Sequence, residues 1–71
     1  AAVELVAELV ALGRALLAAD RNAEAAAELE TAVKLSPGSR EAHYSLASAY
    51  SRIGRKDDAA REQAEFRRLD K

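Results

Sequence analysis

Displaced by 34 positions, the chain falls on itself without a gap. Leu12 lands on Leu46, Ala15 on Ala49, Arg21 on Arg55, Ala25-Ala26 on Ala59-Ala60, Glu28 on Glu62 and Leu35 on Leu69. A fixed period of this length means two copies of one supersecondary unit, each too small to bury its own apolar face and obliged to stack on its neighbour. The whole chain has 71 residues, so the period leaves room for two units and little else.

Within each unit the apolar spacing is helical. Leu5, Leu9, Leu12 and Leu16 recur at steps of three and four, one face of a helix. Asp20-Arg21-Asn22 interrupts the pattern, with Asn22 a suitable N-cap and Glu24 placed to meet the helix dipole. A second helix is expected from about Ala23 to Leu35, with Ala25, Leu29, Ala32 and Val33 inward and an exposed Glu30–Lys34 pair. Ser36-Pro37-Gly38 ends it, and Ser39 caps a third helix from about Arg40 to Ile53 whose inner stripe is His43, Leu46, Ala47, Tyr50 and Ile53. Gly54 suits a left-handed C-terminal turn. A fourth helix from about Lys56 turns Ala59, Ala60, Phe66 and Leu69 inward and Arg61, Glu62, Glu65, Arg67 and Arg68 outward. Alanine, leucine, arginine and glutamate dominate, all strong helix formers. The expected class is all-α, helices joined by short loops and therefore antiparallel to their neighbours.

The first and second units resemble the tetratricopeptide repeat, over residues 6–71. The family's opening aromatic, Leu-Gly pair and later Tyr fall on Leu9, Leu12-Gly13 and Leu16, then on His43, Leu46-Ala47 and Tyr50. Its central Ala and following aromatic fall on Ala25 and Leu29, then Ala59 and Gln63; its closing Pro falls on Pro37, then on Lys71. His43, Gln63 and Phe66 (where the first unit has Ala32) depart from the pattern and suggest a terminal repeat with altered packing. The resemblance implies an α-solenoid fragment of two antiparallel helix-turn-helix hairpins, residues 6–39 and 40–71. Gly13, Ala25, Ala47 and Ala59 are small because paired helices cross closely there.

The resemblance further implies a protein–protein interaction module. The first helix of each hairpin lines a concave groove, which would place Val10, Arg14, Leu17, Tyr44, Ser48, Ser51 and Arg52 against a bound peptide or protein segment, beside Ala7, Ala18 and Glu41. The first helix also carries a second apolar face, Val3, Val6, Val10 and Leu17, about 100° from the leucine face. If the leucines meet the hairpin partner, this second face is left for an upstream repeat, a bound peptide or another copy of the chain. The alternative function is therefore a structural unit that homo-oligomerises through its apolar first helix or belongs to a longer array; the missing initial Met suggests a processed product or a segment.

Other classes find little support. His43 is the one histidine and cysteine is absent, so no metal or cofactor site and no thiol chemistry is expected. Ser45, Ser48 and Ser51 lack an evident base, and His43 reads as packing, so no enzyme is expected. Net charge is −1, with residues 1–39 acidic and 40–71 mildly basic; the cluster Arg52, Arg55, Lys56 is blunted by Asp57 and Asp58, against nucleic acid as a partner. The longest apolar run is Ala15 to Ala19, far short of a membrane span, and no signal peptide is visible. A soluble chain is expected, its compartment unread.

Overall fold

The computed structural model describes residues 2–69 and consists there of four helices: α1 (Ala2–Ala18), α2 (Asn22–Leu35), α3 (Arg40–Arg52) and α4 (Lys56–Leu69). The closing family position at Lys71 lies outside the described residues. α1 packs on α2 and α3 on α4, forming two hairpins; α2 packs on α3 to stack them, and α1 touches α3 more sparingly. This is the helical-hairpin solenoid expected from the period.

The hairpins turn by the same device at the same repeat position. In the first, the Asp20 amide donates to the Leu17 carbonyl and the Arg21 amide to the Leu16 carbonyl. In the second, Gly54 N–H donates to Ser51 and Arg55 N–H to Tyr50. Both are Schellman-type endings, with Asp20 (φ 63°) and Gly54 (φ 82°) in the left-handed region. Asp20 uses that conformation where the second unit uses glycine, and its carboxylate accepts from Asn22 Nδ2. Asn22 is therefore the first residue of α2 rather than its cap; the cap position is Arg21, which provides no side-chain capping bond. Ser39 does cap α3, its hydroxyl oxygen accepting from the Ala42 amide at 3.2 Å.

The core is assembled around small residues. Ala25, Leu29, Ala32, Ala42 and Ala49 are fully buried, and Ala47 and Ala59 nearly so. Gly13 marks the closest approach of the first hairpin: a Cβ built there would lie 2.5 Å from Leu29 Cγ and 2.6 Å from Leu29 Cδ2. One repeat later the pair is Ala47 and Gln63, and Gln63 is exposed. With no branched side chain pressed into the crossing, the second unit tolerates a methyl group.

That crossing decides which apolar face of α1 turns inward. Gly13 belongs to the sector of Val6, Val10 and Leu17, which lie seven and three residues before it and four after. Val6, Val10 and Leu17 are accordingly buried, at 7, 5 and 8 % exposure. The leucine face, expected to meet α2, is the open one: Leu5 and Leu12 are each 46 % exposed, Leu9 and Leu16 half-buried. Val3, grouped with the valine face in sequence, is 80 % exposed. The face read as a surface for other chains, Val6, Val10 and Leu17, is thus corrected to core.

Two polar clusters staple the stack. His43 is buried between α3, α4 and the α2–α3 turn, with Nδ1 2.6 Å from Glu62 Oε1 and Nε2 2.6 Å from the Pro37 carbonyl oxygen. A carbonyl can only accept, so Nε2 carries a hydrogen and donates, while Nδ1 faces the Glu62 carboxylate. Glu62 was expected outward but is buried because this histidine partners it. Tyr50 donates its hydroxyl hydrogen to Glu30, and the Arg55 guanidinium sits over the Tyr50 ring at 4.5 Å and 3.8 Å from Glu30. Glu30, expected to support Lys34 on its own helix, thereby joins α2 to α3. Burial, reinforced by the hydrogen bond and charge of Glu30, raises the Tyr50 phenol from its ordinary 10.0 to about 12.

Gly13→Ala should destabilise the chain by about 1–3 kcal/mol in denaturant unfolding despite alanine's better helix propensity. In a Leu29→Ala background the same change should cost much less or become favourable, a non-additivity readable in a double-mutant cycle. Because the folded state holds the Tyr50 proton more tightly than the unfolded chain, its contribution to stability is complete below pH 10.0 and is lost as pH rises toward about 12. In a Tyr44→Phe variant, phenolate absorbance should therefore rise with a midpoint near 12; a midpoint at the ordinary tyrosine value would contradict the packing of Tyr50.

Candidate concave interface

Stacking α2 on α3 leaves the first helices of the two hairpins side by side with a trough between them. Its main cleft, about 520 Å³, is lined by Arg14, Leu17 and Ala18 from α1 and by Glu41, Tyr44, Ser45, Ser48 and Arg52 from α3. Residues 41, 44, 45, 48 and 52 recur at three- and four-residue steps, so one stripe of α3 forms this wall. Of the residues expected in the groove, Arg14, Leu17, Tyr44, Ser48 and Arg52 come together here. Val10 is core, and touches the same face only through a smaller hollow beside Val3, Val6 and Ala7. Ser51 is exposed but does not line the cleft.

The cleft is apolar at its floor and charged at its rim. Leu17 is buried beneath it, and Tyr44 stands 60 % exposed on its wall. Arg52 is held in place: Nη1 donates to the Leu17 carbonyl at 2.9 Å, setting a cation at the C-terminal end of α1, where the helix dipole favours it. Arg14 projects from α1 into the same cleft, facing the α3 wall that also carries Glu41.

Beyond Tyr44 the trough continues into a second hollow of about 440 Å³, formed by Gly38, Ser39, Arg40, Glu41, Tyr44 and Phe66. Tyr44 and Phe66 are in contact, ring centroids 5.3 Å apart and tilted 47°. The Arg40 guanidinium lies 5.2 Å from the Phe66 centroid. Phe66, Arg40 and Ser45 were not assigned to the groove from sequence. The available signal was Phe66 itself, an aromatic where the first unit has Ala32; its reach from α4 to an α3 side chain becomes visible only in three dimensions.

The trough combines the aliphatic floor of Leu17, the aromatic wall of Tyr44, serine hydroxyls and guanidinium groups; Tyr and Arg are enriched at binding hot spots. His43 is buried away from it and committed to Glu62 and Pro37. Among the described residues no cluster of three or more His, Cys, Asp or Glu side chains could hold a metal ion, and no helix is long and apolar enough to cross a membrane.

No curated protein and no solved structure matches the chain. A family model does: that of the tetratricopeptide repeat, over residues 10–70. With the period, the stacked hairpins and the small residues at their crossings, this match makes the chain a member of the tetratricopeptide repeat family, whose repeats are generally protein–protein interaction modules and typically non-catalytic.

Proposed function

We propose that this chain binds an extended segment of another polypeptide in the trough along α1 and α3, and that it acts by holding that segment rather than by catalysis. The observation that carries the reading is Tyr44, a large aromatic left 60 % exposed where the two hollows of one continuous trough meet. An apolar side chain of the partner packs against Tyr44 and the Leu17 floor, while Arg14 and Arg52 supply charge-assisted hydrogen bonds to its carboxylate or carbonyl oxygens. Holding Arg52 through the Leu17 carbonyl reduces the ordering cost on binding.

The distribution of the remaining cations favours a protein partner over nucleic acid. Arg55 and Arg61 both pair with Asp58, and Arg68 pairs with Glu65, which breaks up the basic groups of the second unit among the described residues, unlike the continuous basic face that tracks phosphates. A non-catalytic role is supported by the family match, since tetratricopeptide repeats are typically non-catalytic.

Selection of peptides on the immobilised 71-residue chain, followed by titration with the recovered sequences, tests the reading. Tyr44→Ala should weaken binding by about 10- to 100-fold, as expected of a central aromatic anchor, and Arg14→Glu by at least about tenfold, both with unchanged helicity. Recovered peptides that bind these variants as tightly as the parent would place the interaction elsewhere.

A further inference from the structure

The two first helices carry the same face in different circumstances. On α3, His43, Leu46, Ala49 and Tyr50 are buried at 4, 2, 0 and 5 %, because α2 lies over them: the Pro37 carbonyl reaches His43, Glu30 reaches Tyr50 and Val33 borders Leu46. The repeat-equivalent residues of α1 are Leu9, Leu12, Ala15 and Leu16; Leu9 and Leu16 are half-buried, leaning on the edge of the core, while Leu12 and Ala15 are exposed. Leu12 and, two turns away, Leu5 are each 46 % exposed. A leucine stripe left half open to water along a helix is a contact surface for a further partner.

We propose that this partner is the α1 leucine stripe of a second copy, packed antiparallel about a two-fold axis between residues 10 and 11. Three observations select this occupant. The spacing of Leu5, Leu9, Leu12 and Leu16 reads four, three, four in either direction, so the axis sets Leu5 against Leu16 and Leu9 against Leu12, a self-complementary seam. The antiparallel sense also holds the acidic N-terminal halves, with Glu4 and Glu8, at opposite ends of the pair and opposes the two helix dipoles; a parallel pair would bring like charges together. Finally, the far end of the stack is no partner for leucine. On α4, Ala60, Ala64 and Arg67 are exposed at the positions of Ala26, Glu30 and Val33, so a head-to-tail copy would lay an arginine across the stripe.

The seam is independent of the trough. At 100° per residue, Arg14 points roughly opposite to the leucine stripe, so the dimer leaves both concave faces open and presents two grooves. One helix pair lies at the small end of specific interfaces, which makes the association readily reversible and concentration-dependent.

Sedimentation equilibrium of the 71-residue chain across a dilution series should show a monomer–dimer equilibrium. Leu5→Glu combined with Leu12→Glu should raise the dissociation constant at least about 100-fold with helicity retained, since both side chains are already half in water. Register is read by oxidising mixtures of single variants: Leu5→Cys with Leu16→Cys should form the mixed disulfide, whereas Leu5→Cys alone should not cross-link, its two sulfurs lying about 16 Å apart along the axis. A monomer at millimolar concentration would overturn the proposal and give the stripe to a helix of different sequence. Cross-linking of Leu5→Cys to itself would overturn the antiparallel seam.

Discussion

Everything in this fold depends on how closely α1 can approach α2, and that distance is set where Leu29 sits over Gly13. The leucine side chain occupies the space a methyl group would need, so the crossing is a knob seated on bare backbone. Fixing that contact fixes the rotation of α1 about its own axis, which in turn fixes three surfaces at once. Val6, Val10 and Leu17 go to the core, Arg14 and Ala18 to the trough, and Leu5 and Leu12 to solvent. In the second hairpin the repeat-equivalent positions hold a buried Ala47 and an exposed Gln63, so no branched side chain is pressed onto the small residue there.

Polar groups then lock what the small residues bring together. His43 ties α3 to α4 through Glu62 and to the preceding turn through Pro37, while Tyr50 and Arg55 tie the second hairpin to Glu30 of α2. The buried His43–Glu62 pair fixes one arrangement because any shift strands a donor or acceptor away from water. The trough is the consequence: with α2 wedged on α3, the two first helices stand apart, and Arg14, Tyr44 and Ser48 remain accessible between them, with Leu17 buried beneath.

Much of this architecture is legible in the sequence, for identifiable reasons. The period, Gly13, Ala25, Ala47 and Ala59, the Ser39 cap and the Gly54 turn are each local or periodic, and the structure agrees with them. The inward face of α1 is not legible in that way, because the leucine and valine faces are equally apolar and adjacent, and hydrophobicity alone cannot say which one a neighbour covers. The answer lay in Gly13, which shares the valine sector. Glu62 and Glu30 were read outward from residue type, since their partners His43 and Tyr50 lie 19 and 20 positions away. Most of the groove residues do line one cleft. Phe66 and Arg40 escaped because they join it through α4 and the start of α3, a juxtaposition that repeat spacing does not encode.

The most direct measurement of the central contact is a nuclear Overhauser experiment on the labelled chain. Strong cross-peaks should connect the Gly13 α-protons to both Leu29 methyl groups. Gly13 α-protons that instead show contacts only to solvent or to their own helix, with Leu29 methyls correlated elsewhere, would contradict the crossing and with it the assignment of α1's three faces.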